Sequence, residues 1–76
     1  MISTDRYEII LTRHAFIQAD RRGITADMIE ATLKGGKVYH FGKKNVRFVK
    51  RYKQMTVICV DEIVGDKISI VTIERR

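Results

Sequence analysis

The sequence contains a single cysteine and no proline-rich, serine-rich or repetitive segment. A lone thiol excludes an internal disulfide framework and a multi-cysteine metal site. Cys59 lies in an apolar run, residues 55–60, where we expect a buried and unreactive thiol. Because no linker divides the 76 residues, we predict a single domain, 1–76. A chain of this length buries only about 60% of its unfolded surface, so we expect modest stability or help from a partner.

Long apolar stretches are absent as well. No segment approaches the roughly 20 apolar residues that a membrane-spanning helix needs. Residues 1–6 are polar, and no apolar segment typical of a secretory signal follows them. These absences argue against a membrane partner and predict a cytoplasmic protein.

Residues suited to metal or nucleotide cofactors are scarce. The two histidines and Cys59 lack the spacing of metal ligands. The Gly35-Gly36 pair has neither a P-loop nor a dinucleotide-binding pattern around it. We therefore expect no metal and no cofactor.

Acidic residues are absent between Glu30 and Asp61, although the net charge of the chain is +6. Eight of the 15 basic residues lie in this interval: Lys34, Lys37, Lys43, Lys44, Arg47, Lys50, Arg51 and Lys53. A patch of one sign attracts polyanions, and nucleic acid is the commonest of these in the cytosol. The alternative is a solvated strand face whose lysines protect a sheet edge, but one or two charges suffice for that purpose.

The first half of the chain predicts two helices separated by a tight turn. Thr12 can cap a first helix that begins near Arg13, and Gly23 stands where a helix ends with positive φ. Apolar residues recur every four positions along this helix at Leu11, Ala15 and Ala19. Thr25 can cap a second helix, which Gly35-Gly36 ends after Lys34.

After Gly36 the hydrophobic period changes to that of strands. We predict strands at 37–41, 46–53, 55–61 and 67–74, with a short additional strand at 7–11. Alternation places Val46, Phe48 and Tyr52 under the helices and Arg47, Arg51 and Lys53 on the opposite face. The last two strands are apolar on both faces, which is typical of central strands in a covered sheet. The predicted fold is therefore α+β, with a helical hairpin on one face of a four-stranded antiparallel sheet, or five-stranded with 7–11.

Several short motifs resemble the bacterial domain-of-unknown-function 4258 family. They are Leu-Thr-x-His-Ala at 11–15, Arg-Gly-Ile-Thr at 22–25, Ile29-Glu30 with a glycine-rich end, and closing strands at 57–60 and 70–73. That family looks related to the barnase/EndoU/colicin/RelE (BECR) superfamily of small toxin ribonucleases. The resemblance implies a RelE-like fold and a metal-independent endoribonuclease. In one respect the chain departs from the pattern, because Gln18 stands where the family often has an arginine.

His14 is the first candidate catalytic residue. Histidine titrates near neutrality and can move the protons that RNA cleavage by the 2′-hydroxyl requires. The residue also stands in the first turn of a predicted helix, where backbone N–H groups can help to hold a phosphate. Alternatively, His14 only packs against or caps that turn.

Arginines are candidate phosphate ligands beside His14. Arg22 follows it by eight residues, about two helical turns, and a guanidinium can bind phosphate bidentately. Thr72 and Arg75 match the closing strand of the resemblance and are candidates for orienting and neutralising the phosphate. The alternatives are structural: Arg22 can pair with an acid or the helix C-terminus, and Thr72 is a good strand former.

The basic segment is the candidate RNA-binding surface. Its members are Lys43, Lys44, Arg47, Arg51, Lys53 and His40. Tyr39 and Phe41 flank His40 and suit either base stacking or aromatic packing. A proton-transfer pair of His14 and His40 is a further hypothesis.

Two functions of different classes follow. The first is a toxin-like, metal-independent endoribonuclease, acting on free or ribosome-associated RNA. The second is a non-catalytic module that binds nucleic acid or an acidic, antitoxin-like protein. An exposed strand edge in so small a chain is compatible with a monomer or a homodimer.

Overall fold

The computed structural model describes residues 6–76, so all but the last residue of the polar start at 1–6 lies outside the described residues. The elements are β1 (Glu8–Leu11), α1 (Arg13–Arg21), α2 (Ala26–Gly35), β2 (Lys37–Phe41), β3 (Asn45–Arg51), β4 (Thr56–Val64) and β5 (Lys67–Arg75). Two helices and a five-stranded, mostly antiparallel sheet confirm the predicted α+β class.

Both helices begin at the predicted threonine caps. The Thr12 hydroxyl accepts the N–H of Ala15 at 3.3 Å, and the Thr25 hydroxyl accepts the N–H of Met28 at 3.2 Å. Gly23 follows α1 with φ of 69°, as the pattern predicts. The two caps and this glycine therefore define a tight turn between the helices.

The strand order is β1-β5-β4-β3-β2, and every pair is antiparallel except β1 with β5. The predicted N-terminal strand thus exists, but the expectation of a wholly antiparallel sheet is wrong at that position. The chain leaves β1 through both helices and returns to its neighbour only in the last strand, and such a crossover gives parallel pairing. Hairpins join β2 to β3, β3 to β4 and β4 to β5.

Two strand ends differ from the predictions by more than one residue. β3 ends at Arg51, so Lys53 lies in the connection to β4 rather than in the strand. β4 continues beyond Asp61 to Val64, because residues 61–64 pair with 67–70 across the turn at Gly65-Asp66. A register shift between Val60 and Asp61 leaves Val71 without a partner on β4.

The core lies between the helices and one face of the sheet. It contains Ala15, Ala19, Ile24, Ile29, Leu33, Val46, Phe48, Val57, Cys59, Ile68, Ile70 and Ile73. Val46 and Phe48 are buried as predicted, and the Tyr52 hydroxyl donates to the main-chain oxygen of Met28 in α2 at 3.0 Å. Both helices pack on this one face, and within residues 6–76 no helix lies on the opposite face, although the last two strands carry apolar residues on both sides. We call this second side the open face.

Neither helix is suited to cross a bilayer. α1 has nine residues and α2 has ten, far fewer than the roughly 20 that a span requires. Throughout residues 6–76, no helix combines the necessary length and hydrophobicity.

Candidate nucleic-acid interface

The open face of β2 and β3 combines basic and aromatic side chains. Directly opposite residues of an antiparallel pair project to the same side of the sheet. Tyr39 lies opposite Arg47, and Lys37 lies opposite Val49. Alternation along β3 adds Arg51 to the same side, as the sequence predicts for Arg47 and Arg51.

Two aromatic rings on this face are accessible. Tyr39 is 50% exposed and Phe41 is 40% exposed, although both are in a strand. The guanidinium carbon of Arg47 lies 5.2 Å from the centre of the Phe41 ring. This cation–π contact orients the guanidinium while its remaining N–H groups stay accessible.

Two shallow grooves adjoin each other on the open face. The first, of about 360 Å³, is lined by Tyr39, Arg47, Val49, Thr56, Ile58 and Arg76. The second, of about 470 Å³, is lined by Gly35, Gly36, Lys37, Tyr39, Val49, Lys50, Arg51 and Thr56. Tyr39, Val49 and Thr56 belong to both grooves, so they form the boundary between them.

Apolar residues form the floor of the first groove. Ile58 is only 4% exposed even though it is on the open face, because neighbouring side chains cover it. Main-chain hydrogen bonds between Thr56 and Arg76, at 2.7 and 2.9 Å, hold Arg76 beside this floor. The groove therefore offers an apolar base with guanidinium groups at its rim.

Charge is distributed unevenly over the open face. β2 and β3 contribute no acidic residue to it, whereas Glu62 and Glu74 lie on β4 and β5. Lys43 and Lys44 are exposed in the turn between β2 and β3, and Lys53 is exposed after β3. On the open face, basic residues not offset by acidic ones are therefore concentrated on β2, β3 and their flanking turns.

His40 does not belong to this surface. It lies opposite Val46 on β2, and Val46 is buried on the helix side, so the His40 side chain projects to that side. His14 is on α1, which packs against β5. β2 carries His40 and lies three strand spacings, roughly 14 Å, from β5. The structure therefore does not bring His14 and His40 together.

The other predicted catalytic residues divide between two faces. The Arg75 guanidinium donates to the main-chain oxygen of Arg22 at 3.1 Å, which brings these two residues together at the C-terminal end of α1. His14 is exposed near the start of the same helix. Thr72, by alternation with the buried Ile73, projects to the open face. The predicted set of four is therefore not a single cluster.

Gln18 has a structural role that its position in the motif does not indicate. Its side-chain oxygen accepts the main-chain N–H of Ile73 at 3.1 Å. The last residue pair between β1 and β5 is Leu11 with Ile70, so the Ile73 N–H lies on the part of β5 that β1 does not reach. The glutamine thus completes the hydrogen bonding of an otherwise free strand edge.

Asp61 carries a buried carboxyl group that the sequence patterns did not indicate. Its side chain is 0% exposed, and neither carboxylate oxygen has a hydrogen-bond partner among residues 6–76. Burial raises the pKa of Asp61 to about 8. Burial, and to a lesser extent the Asp61 charge, raises the pKa of Cys59 to about 12. Cys59 is therefore buried and unreactive, as predicted.

Several groove residues were not among the predicted site residues. Lys37 comes from β2, Thr56 and Ile58 come from β4, and Arg76 follows the end of β5. Only the alternation of Lys37 and Tyr39 along β2 gave a local signal, because the register between strands is a tertiary property.

No protein-family model matches the chain, and no curated protein or solved structure is significantly similar to it. The resemblance to the domain-of-unknown-function 4258 family therefore stays a prediction from the motifs quoted above.

Proposed function

We propose that this protein binds RNA through the open face of β2 and β3. The observation that supports this function is the combination of Arg47, Arg51 and Lys37 with two accessible aromatic rings on strands that carry no acidic residue. Arginine and lysine neutralise phosphates, and exposed rings stack on unpaired bases. A surface that served solubility alone would not need aromatic side chains between its charges.

The test is fluorescence anisotropy of a labelled mixed-sequence RNA at several salt concentrations. We expect affinity to fall steeply with salt and the double variant Arg47→Ala, Arg51→Ala to bind more weakly. We call the slope of the logarithm of the binding constant against the logarithm of the salt concentration the salt slope. Its magnitude should be smaller by about 1.4 in this variant, because each phosphate contact to a single strand contributes about 0.7.

A charge-matched control lies on another surface. Arg13 and Arg21 are exposed on α1, so Arg13→Ala, Arg21→Ala removes the same charge without altering the open face. The proposal predicts near-normal affinity for this variant. Equal weakening by both double variants would mean that only the net charge matters, and would contradict a defined interface.

The second candidate function is cleavage of the bound RNA by a RelE/BECR-like, metal-independent mechanism. It is favoured by the contact of Arg75 with the main chain of Arg22 on the helix that also carries His14. In this proposal the 2′-oxygen bonds to the phosphorus as His14 takes its proton, and the P–O5′ bond breaks as the imidazolium returns that proton to the departing 5′-oxygen. The two arginines stabilise the negative charge on the phosphorane between these events. The family resemblance supports the same assignment.

Cleavage is tested with end-labelled RNA and purified protein in EDTA. An enzyme of this type should leave cyclic-phosphate ends, and His14→Ala should abolish cleavage while affinity stays near normal. If wild-type protein retains RNA without cutting it, or His14→Ala cuts at the normal rate, the catalytic proposal is wrong and the binding proposal stands.

An acidic, antitoxin-like protein is the alternative partner for the same surface. Its carboxylates would replace phosphates at Arg47 and Arg51. An acidic protein that binds this surface would displace RNA from it. An acidic protein that binds another surface would not. Binding to a protein but not to RNA would favour this alternative over the proposed function.

A further inference from the structure

Tyr39 stands between the two grooves of the open face. Tyr39 is half exposed and lines both grooves, one of about 360 Å³ and one of about 470 Å³. Both volumes are at the lower end of the roughly 300–1,000 Å³ that is typical of small-ligand sites. The grooves are therefore large enough for one small planar group on each side of the tyrosine.

The two grooves offer the same chemistry. Each has an apolar wall at Val49 and an arginine at its rim, Arg47 in the first groove and Arg51 in the second. Arg47 and Arg51 are four residues apart on one strand face, so they lie roughly 13 Å apart along β3. An apolar slot beside a guanidinium suits a nucleobase linked to a phosphate.

Resting on the proposed RNA-binding function, we infer that the grooves hold two consecutive nucleotides of a single strand, with Tyr39 between the two bases. Arg47 and Arg51 bind the phosphates on either side of this step. Ring stacking on both bases requires the nucleotides to separate, which is possible in a single strand but not within an intact duplex. The substrate class is therefore unpaired RNA.

The contact of Arg47 with Phe41 supports this arrangement. The ring holds the guanidinium beside the first groove before any ligand is present, so less side-chain freedom is lost on binding. Glu74 lies opposite Ile58 on the β5 side of the first groove. Phosphates should consequently follow the β3 side of the groove and avoid β5.

The experiment compares a labelled oligouridine with a blunt RNA duplex of the same length. Tyr39→Ala should weaken binding of oligouridine by about tenfold or more, since stacking on an aromatic ring contributes strongly for each base. Tyr39→Phe should retain wild-type affinity, because the ring rather than the hydroxyl carries the interaction. Neither change should alter duplex binding or the salt slope, since both leave every cationic group in place.

Phe16→Ala is the matched control. Phe16 is 59% exposed on α1, and its removal deletes an aromatic ring without touching the open face. This variant should bind oligouridine like the wild type. A second measurement does not depend on a folded variant: NMR of the wild-type protein should show contacts from the Tyr39 ring protons to bases on both sides of the ring.

The outcomes separate this inference from the proposed function. Absence of RNA binding by the wild-type protein would overturn both. In a second outcome, the double variant Arg47→Ala, Arg51→Ala binds RNA weakly but Tyr39→Ala binds oligouridine normally. This result would overturn the inference and leave the proposed function intact. The inference would also be overturned if Tyr39→Ala lost oligouridine and duplex binding equally. NMR contacts from the Tyr39 ring to a base on one side only would have the same consequence.

Discussion

Gln18 connects α1 to the edge of β5 beyond the last pair that β1 makes. Its side-chain oxygen accepts the Ile73 N–H at 3.1 Å, and the Thr12 hydroxyl donates to the Ile70 oxygen at 2.6 Å. An arginine at position 18 has only donors and could not accept this N–H. Gln18 therefore has a structural role in this chain that an arginine could not fill.

We expect Gln18→Ala to lower the free energy of unfolding by about 1–3 kcal/mol, because the Ile73 N–H would lose its partner in a partly buried position. Urea unfolding followed by circular dichroism measures this loss. Gln18→Glu keeps an acceptor oxygen at the same place and is the control, so it should be less destabilised than Gln18→Ala. An alanine variant as stable as the wild type would show that water satisfies this N–H equally well.

Asp61 makes stability depend on pH. In the unfolded chain its carboxyl ionises near pH 4, whereas in the folded protein burial raises its pKa to about 8. Between these values the folded protein retains a proton that the unfolded chain has lost. The free energy of unfolding must therefore fall as pH rises through this window, by up to about 1.4 kcal/mol per pH unit.

Asp61→Asn removes the titrating group while keeping nearly the same shape. We expect the variant to lose this part of the pH dependence, so its stability relative to the wild type should increase steadily between about pH 4 and pH 8. Thermal unfolding at a series of pH values measures the difference. Asp66→Asn, in the exposed turn after β4, is the control and should follow the wild-type slope. Parallel curves for wild type and Asp61→Asn would contradict the assignment.

At the scale of elements, the junction between α2 and β2 depends on close backbone packing. A Cβ added to Gly36 would lie 2.5 Å from the Thr32 oxygen and 2.8 Å from the Val49 oxygen. Gly36 has φ of −79°, so its backbone conformation is one that any residue adopts. The glycine is required here because the end of the helix approaches the backbone of β3, not because of its torsion angles.

Gly36→Ala should therefore destabilise the protein by about 1–3 kcal/mol or more, as overpacking of a close contact does. The neighbouring residue provides a matched control, since a Cβ on Gly35 meets only the flexible end of Lys50 at 3.4 Å. Gly35 is the last residue of α2, where alanine is tolerated better. The thermal unfolding temperature of Gly36→Ala should be well below those of Gly35→Ala and the wild type. Equal unfolding temperatures for the two variants would contradict the packing argument.

At the scale of the whole molecule, the two faces of the sheet differ in accessibility. The helices cover one face and form the core with it, while the other face stays accessible along β2 and β3. On this accessible face Ile58 is nevertheless only 4% exposed. A binding surface can therefore exist on the same strands that stabilise the fold.

The two edges of the sheet also differ. β2 carries Lys37 and an accessible tyrosine, whereas β1 contains Ile9, Ile10 and Leu11 in succession. Charged side chains discourage further strands from pairing at the β2 edge. β1 lacks this protection over most of its length, so any additional strand from a second copy is expected to pair there.

Local patterns were sufficient to predict most of the secondary structure. The caps Thr12 and Thr25, the positive φ at Gly23 and the alternation of Val46 and Phe48 with Arg47 each depend on neighbouring residues alone. Helix capping and side-chain alternation are properties of the backbone within one turn or one strand. Such features can be inferred without knowing which elements are adjacent.

The site could be predicted only in part, because it combines residues that are distant in sequence. Alternation correctly placed Arg47 and Arg51 on one face, but His40 was assigned to that surface although it projects to the other side. Arg76 and Ile58 join Tyr39 only through the register of β2, β3 and β4 with the end of β5. Register and strand order are set by the packing of the whole core, so no local pattern contains them.

The α+β class, the starts of both helices and the basic character of the middle segment follow from the amino-acid sequence alone, because composition and short-range periodicity fix these properties. The parallel pairing of β1 with β5, the burial of Asp61 with no hydrogen-bond partner among residues 6–76, and the position of Tyr39 between two grooves depend on tertiary structure. These features arise when distant strands exclude water together, and the free energy of that burial depends on all of them at once.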